Sequence, residues 1–421
     1  MVDKNLFLHD LAIVAILKNE GHYLNEWLDY HLLAGVDHFY LYDNESPDNQ
    51  AEVAKPYVEA GLVDYISAPG KFMQMFAYND AVKRFKFHCR YMAFIDGDEF
   101  IFPKTNQSII DVVDEILSSD SSAAGLAIHW QLFGSNGEEK ADYSRGVLER
   151  FTRRAPSDWL GLAENKNDFV TGNFFIKTVA NPRFIDYFYN PHFAVYFKES
   201  KAINEEGKNI EGVGNYTITS KKIVINHYYC KSREEYEITK MKRGWACGEE
   251  HPYEIKNFEI HDRNEEFDDG ILKYRAARTE NFYLESEDEK FRRIEKNLIE
   301  TLPKYVLNET IENKLATALT CRALSTYMCE KFPGDFRWKI YEETSLSAIL
   351  KSLGDMSLTE ARLLILDLPN LLSLPYPSVK ELHIACLHII PQIMEIMRLN
   401  NSLKDFVELD YIQLLLKNFR K

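Results

Sequence analysis

Four short apolar runs, separated by segments of helical periodicity, do most to restrict what this chain can fold into. They are Leu11–Leu17, His38–Tyr42, Leu62–Ile66 and Tyr91–Ile95. Runs of this length suit strands buried on both faces, as in a parallel sheet. After the first run, Leu24, Trp27, Leu28, His31 and Leu32 recur at helical spacing, and Gly35 stands where a C-cap glycine belongs. After the second, Asp48 is placed to cap a helix through Val53 and Val58 that stops at Gly61. Residues 74–88 supply a third helix. Strand and helix alternating over short connections predict a doubly wound α/β unit with right-handed crossovers.

In such a sheet, ligands bind just beyond the carboxyl ends of the strands. Three of those ends carry polar clusters: Asn19 and Glu20, the stretch Asp43 to Asp48, and Asp96-Gly97-Asp98. With a glycine between them, Asp96 and Asp98 can turn toward one hard cation and leave positions for phosphate oxygens. An Asp-x-Asp alone is a weak signal. Three clusters at corresponding positions make a binding rim, and its chemistry suits a nucleoside diphosphate.

The formal net charge of −15 excludes broad nucleic-acid binding, which needs a positive field. An acidic protein that takes an anionic nucleotide needs a local cation or a few placed Lys and Arg residues. The amino terminus has no charged stretch leading into an apolar one, and no apolar stretch reaches the ~18 residues of a membrane span. Six cysteines (Cys89, Cys230, Cys247, Cys321, Cys329, Cys386) lie apart without CxxC spacing and read as free thiols in a reducing compartment. These features predict a cytoplasmic protein, peripheral at the inner face of the cell membrane if its acceptor is lipid-linked.

Further along, Ile109–Leu117 reads as a helix, and Gly125–Trp130, Phe174–Lys177 and Lys222–Asn226 as strands. Residues 136–172 are polar and irregular, as in a lid or binding loop. Gly207, Gly212 and Gly214 mark a hairpin-like connection. Beyond residue 280, leucine and isoleucine recur at helical intervals divided by Pro333-Gly334 and Pro375-Tyr376-Pro377, which predicts an all-helical C-terminal domain over 281–421.

The order Lys18-Asn19-Glu20, Glu26-Trp27-Leu28 with His31, Gly35-Val36, Tyr42-Asp43-Asn44, then Phe94-Ile95-Asp96-Gly97-Asp98-Glu99-Phe100 resembles the GT-A glycosyltransferases of the family 2 and family 92 type, bacterial nucleotide-sugar-dependent enzymes among them. His129-Trp130, Phe133-Gly134-Ser135, Asn226-His227-Tyr228, Lys231-Ser232 and Arg243-Gly244 continue the match, which spans roughly residues 10–245. The resemblance implies a GT-A type Rossmann-like nucleotide-sugar domain over residues 1–280. It further implies metal-dependent (Mn²⁺ or Mg²⁺), usually inverting sugar transfer. The donor would be a UDP-sugar, and the acceptor a glycan, lipid-linked saccharide or glycoprotein. The helical domain would be the place for oligomer contacts.

Under that reading Asp98 ligates the metal directly, while Asp96 holds the ribose or reaches the metal through water. Asp43 either accepts from the base or only forms an Asx-turn into Ser46-Pro47. Asn19 and Glu20 either fix the ribose or cap the next helix. His227 is a third metal ligand or a structural residue at a strand end, and His192 belongs to the acceptor site or to the core. Lys231, Lys240 and Arg243 would neutralise the diphosphate. The general base would be Asp158, Glu164 or Asp168, carboxylates of the irregular stretch that no motif distinguishes. A sugar nucleotidyltransferase is the nearest alternative, although no glycine-rich basic loop follows the first strand. A helical adaptor carrying a degenerate sugar-nucleotide domain is another, at odds with the intact Asp96-Gly97-Asp98.

Overall fold

The computed structural model describes residues 9–277 apart from 87, 121, 162–171, 197–199 and 244–252, together with Glu289. The expected helical domain over 281–421 and its boundary lie outside the described residues.

The chain opens with β1 (His9–Leu17), α1 (Gly21–Leu33), β2 (His38–Asp43), α2 (Gln50–Glu59), β3 (Val63–Ser67), α3 (Gln74–Phe85) and β4 (Cys89–Phe94). It continues through β5 (Glu99–Pro103), α4 (Ile109–Leu117), β6 (Ala123–Leu132), α5 (Val147–Arg150) and β7 (Arg153–Arg154). Then come β8 (Ile176–Ala180), β9 (Ile185–Phe188), β10 (Ala194–Tyr196), β11 (Lys201–Ile203), β12 (Asn209–Ile210) and β13 (Ile223–His227). Helices α6 (Arg233–Ile238), α7 (Lys240–Arg243) and α8 (Ile255–His261) precede β14 (Glu266–Phe267).

The first four strands form a parallel group in the order β3-β2-β1-β4, so the winding direction reverses between β1 and β4. That reversal sets the place of the site. β8 runs antiparallel between β4 and β6, and β13 pairs parallel with β6 and antiparallel with β5. Every side chain of β1 from Leu11 to Ala15 is buried, which is why the run carries no polar alternation. Above it, α1 buries Leu24, Trp27, Leu28 and His31. Full burial of each large apolar side chain contributes about 1.5–3 kcal/mol. α1 stops at Gly35, whose φ of +105° only glycine adopts readily. α4 starts with a capping box, the Ser108 hydroxyl accepting from the Asp111 N–H, and buries its Ile109, Val112, Val113, Ile116 and Leu117 stripe.

Three local expectations shift. The N-cap position of α2 is Asn49, one residue after Asp48, but its side chain makes no capping bond, and it is the Asp48 carboxylate that accepts from Gln50 N–H at 3.2 Å, and also from Gly21 N–H at 2.9 Å. The third helix ends at Phe85. The strand expected at Phe174–Lys177 lies at Ile176–Ala180, with Lys177 inside it rather than at its end. Lys201–Ile203 and Asn209–Ile210 pair antiparallel around Gly207, the expected hairpin. No described helix is long and apolar enough to cross a membrane, and Cys89 and Cys230 are buried, with Cys89 Sγ 3.5 Å from the Tyr40 hydroxyl.

Candidate active site

The switch point brings together the turn after β1 and the turn after β4. Gly97 is required there by space: a Cβ on it would sit 2.7 Å from Leu17 Cδ2 and 3.3 Å from Glu20 Cγ. The turn is held by its own backbone. Glu99 N–H donates to Asp96 O (3.1 Å), and Asp96 N–H donates to Glu99 Oε2 (2.9 Å). The chain then runs straight into β5, whose antiparallel register with β13 sets His227 opposite Glu99. Tyr228 N–H donates to Asp98 O at 2.9 Å. Strand pairing thus delivers a histidine 129 positions along the chain from Asp98 to the acidic turn, leaving Nε2 3.6 Å from Asp98 Oδ1.

Asp98, Asp96 and Glu20 each meet a cation. Asp98 Oδ2 accepts from Lys240 Nζ at 2.7 Å. Asp96 accepts from Lys177 Nζ at 2.8 Å and from Gln74 Nε2 at 2.6 Å. Glu20 takes Lys231 at 3.3 Å and Arg243 at 3.1 Å. Burial opposes ionisation of both aspartates, yet Lys177 holds the Asp96 carboxyl, and Lys240 with His227 the Asp98 carboxyl, below the usual carboxylate range. Glu99, 3.4 Å from Lys177, is fully enclosed, and burial pushes its carboxyl up to about 8. Burial also lowers His227 from the ordinary imidazole value, so the ring is neutral near pH 7. Lys240 and Lys231 further rest over the rings of Tyr229 (3.9 Å) and Tyr23 (3.6 Å).

Lys231 is aimed by a buried network. It sits at φ +52°, just ahead of the Ser232 cap of α6. Glu235 accepts from Arg150 through two bonds of 2.9 and 2.7 Å and from Ser232 N–H at 3.0 Å, and the Tyr23 hydroxyl donates to it. Removing one partner of such a fully buried pair typically costs about 3–5 kcal/mol. On the other side, α1 braces β5. Trp27 Nε1 donates to Glu99 O (2.8 Å) and the Tyr30 hydroxyl to Ile101 O (2.8 Å). His31 Nδ1 donates to Trp27 O (2.8 Å), and Nε2 accepts from Ile101 N–H (3.2 Å). Burial lowers His31 to about 3, so it serves as a neutral connector.

The remaining sequence candidates fall into three groups. Asn19, at φ +59°, and Asp43 belong to the cross-links of the rim. Asn19 N–H donates to Ser46 Oγ (3.1 Å), and Asp43 Oδ1 accepts from Ser46 N–H (3.2 Å) and Gln50 Nε2 (3.0 Å). His192 Nδ1 donates to Ile176 O (3.0 Å), the ring packs against Trp130 and Phe175, and burial lowers it to about 3. Asp158 is exposed in the turn after Pro156, while Glu164 and Asp168 lie outside the described residues. Lys177 was not singled out from the sequence. Its only signal is a lysine inside an apolar strand, where a charge needs a partner.

A divalent cation fits part of this geometry. Asp98 and His227 offer one carboxylate and one neutral imidazole, and His227 Nδ1 is buried without a partner among the described residues. Asp96 is turned to Lys177 and Gln74, and among the described residues no group of three or more His, Cys, Asp or Glu is assembled around one point. One or two protein ligands completed by phosphate oxygens and water is how Mg²⁺ is ordinarily held at a nucleotide.

The model of glycosyltransferase family 92 matches residues 14–271, the whole α/β unit with its rim. The chain belongs to glycosyltransferase family 92. A family 92 protein of Ricinus communis is 29% identical over 147 residues, 35% of this chain and 26% of the relative. One of Arabidopsis thaliana is 27% identical over 224 residues, 52% of this chain and 35% of the relative. A galactan beta-1,4-galactosyltransferase of Arabidopsis thaliana is 32% identical over 100 residues, 21% of this chain and 19% of the relative. The family 92 chain thus spans about a third or less of the length of these curated relatives. The solved structure of Staphylococcus aureus TarS (residues 1–349) with UDP covers 91% of this chain and 89% of its own at 12% identity, with a TM-score of 0.28. That likeness is too loose to bear on the site.

Proposed function

We propose that this family 92 chain transfers a sugar from a nucleoside-diphosphate donor, a UDP-sugar, to a hydroxyl of a glycan, lipid-linked saccharide or glycoprotein. The observation that carries the reading is the charge pattern at the switch point. Lys177, Lys231, Lys240 and Arg243 stand against Asp96, Asp98 and Glu20, in a chain of net charge −15. Four cations are thereby gathered where a diphosphate would lie, each able to trade a carboxylate for a phosphate oxygen.

Mn²⁺ or Mg²⁺ would be held by Asp98 and His227, with Asp96 beside them, and would supply charge neutralisation for the departing diphosphate. Lys231, Lys240 and Arg243 are kept in place by Glu20 and Asp98 and offer charge-assisted bonds to phosphate oxygens. Lys177 holds Asp96 ionised, and Asp96 would take the ribose or reach the metal through water. The acceptor oxygen attacks the anomeric carbon as the bond to the diphosphate breaks, inverting its configuration. The acceptor proton passes to a carboxylate of the 156–172 stretch, where Asp158 is the candidate among the described residues. The galactosyltransferase among the relatives makes UDP-galactose the first donor to assay.

The test is calorimetry of UDP with Mn²⁺ and with EDTA, joined to product analysis. UDP should bind with Mn²⁺ and lose at least about tenfold in affinity without it. Absence of UDP binding under both conditions overturns the reading. So does formation of a nucleotide sugar from a sugar 1-phosphate and a nucleoside triphosphate.

A further inference from the structure

β8 runs antiparallel to β4, so its amino end comes up at the rim, where Lys177 meets Asp96. The two residues that lead into β8, Phe174 and Phe175, belong to a row of rings that starts at the acidic turn. His227 and Trp130 lie 4.3 Å apart between ring centroids, Trp130 and Phe175 5.4 Å, and Phe175 and Phe174 4.4 Å. The row ends on Tyr216, which stacks on Phe174 at 4.8 Å and 14° and is 67% exposed. Its backbone is tied down on both sides. Asn215 N–H donates to Phe174 O (2.8 Å), and Ile176 N–H to Val213 O (3.1 Å). His129 holds the far side of the turn, Nε2 donating to Asn215 O (3.1 Å) and Nδ1 accepting from Thr219 N–H (3.4 Å). Gly214 lets the two segments close, since a Cβ there would stand 2.6 Å from Phe174 O.

A flat aromatic face already fixed on the surface loses little freedom when a ligand covers it. Neither 172–176 nor 212–220 contains a charged residue, so these two segments offer no charge to phosphate or to an ionic head group. They suit a neutral pyranose ring, whose C–H face removes apolar surface from water while its hydroxyls stay solvated at the edge. We infer that Phe174 and Tyr216 form a saccharide-binding shelf, on which one residue of a neutral acceptor glycan stacks while the end to be extended reaches the donor rim. Trp130 and Phe175 stand between Tyr216 and His227 in the row, so the sugar on the shelf is set back from the one that reacts. The inference rests on the glycan-transfer reading and narrows its acceptor to a neutral saccharide. Binding to the shelf needs neither donor nor turnover, so the two can fail separately.

The experiment titrates the full chain, without donor, with β-1,4-linked tetrasaccharides of galactose, glucose and xylose, using calorimetry and saturation-transfer NMR. At least one tetrasaccharide should bind, with saturation concentrated on the C–H protons of one ring face. Tyr216→Ala should weaken it about tenfold, the loss of one stacked ring, whereas Tyr216→Phe, which keeps the ring, should change it by less than about twofold. Tyr216 is exposed, so its truncation leaves the core packing alone. UDP with Mn²⁺ should bind Tyr216→Ala as it binds wild type, and should not displace the tetrasaccharide. Failure of all three tetrasaccharides to bind overturns the shelf, and UDP binding in the same chain then leaves the transfer reading standing. Equal binding by wild type and Tyr216→Ala also overturns it, as does displacement of the tetrasaccharide by UDP. So does Tyr216-dependent binding to phosphatidylglycerol vesicles in place of the tetrasaccharides.

Discussion

At the amino end of α1, Glu20, Asp96 and Asp98 each meet an ammonium or guanidinium group at 2.7–3.3 Å. Along the flank of the same helix, Glu26, Asp29 and Glu149 share a cleft with tyrosine and histidine rings. Both places are rich in carboxylates, and the difference lies in what faces them. Acids paired with cations at the open end of a parallel sheet form a site whose cations can change partners when phosphate arrives. Along the helix flank the carboxylates serve the packing of the loop and of α2: Glu26 accepts from Val147 N–H and Asp29 from the Tyr57 hydroxyl. A carboxylate count does not separate the two; the groups opposite the carboxylates do.

The sharpest way to break that contrast is at Asp98. Replacing it by Asn keeps the shape of the turn but leaves Lys240 and His227 facing a neutral amide. Turnover should fall by about 10²–10³, the size expected when charge stabilisation of a leaving group is lost. Steady-state kinetics with saturating donor decides the expectation. An active Asp98→Asn enzyme, indifferent to EDTA, would show that the rim is a structural ion-pair cluster.

The buried side of α1 supplies a second, smaller effect. His31 is held neutral, its folded pKa near 3 lying below the ~6.5 of an unfolded chain. The unfolded state therefore binds the proton first. The stability that His31 contributes is complete above pH ~6.5 and drains away as pH falls toward 3, by about 1.4 kcal/mol per pH unit. His192 and His261, lowered to about 3 and about 4, add slopes of the same sign. In His31→Gln, urea unfolding between pH 7 and 5 should show a shallower slope by one such share. At pH 7 the variant should be less stable by roughly 1–2 kcal/mol for the altered hydrogen bonds. An unchanged slope would mean that the ring is protonated in the fold.

Much of this architecture was legible in the chain itself. The runs Leu11–Leu17, His38–Tyr42, Leu62–Ile66 and Tyr91–Ile95 became β1 to β4 within a residue or two at most ends: β1, β2 and β4 are buried on both faces and so apolar nearly throughout, while β3, at the sheet edge and only partly buried, shows through its Val63, Tyr65 and Ile66. The three polar clusters do converge on one rim. β5 was not legible, since Glu99–Pro103 follows the acidic turn without a break and looks like its tail. Lys177 was hidden for a different reason. A lysine in an apolar segment reads as a strand end, and only the fold shows that Asp96 and Glu99 enclose its charge. Arg150 and Glu235 are 85 positions apart, and no local window joins them. The motif residues Trp27 and His31 were visible as helix periodicity, but their task of bracing β5 depends on a strand that was not foreseen.

The smallest expected effect tests whether the rim is as tightly built as its charges suggest. Gly97 has an ordinary backbone conformation, so alanine there brings no φ strain, only a methyl group directed at Leu17 Cδ2 and Glu20 Cγ at 2.7 and 3.3 Å. Overpacking of this kind costs about 1–3 kcal/mol. Leu17 is a buried residue of the core, whereas Glu20 can swing, and doing so lengthens its bonds to Lys231 and Arg243. Gly97→Ala should therefore lose part of its stability and several-fold in UDP affinity, and Leu17→Val in the same chain should restore both through the space it opens. Gly137→Ala is the control: its Cβ meets nothing within 4 Å, but its φ of +77° is strained for alanine. That variant should lose stability, by about 1 kcal/mol, with UDP affinity intact. If Gly97→Ala and Gly137→Ala behave alike, the close approach at the switch point does not set the position of Glu20, and the cations of the donor rim are held by α6 and α7 alone.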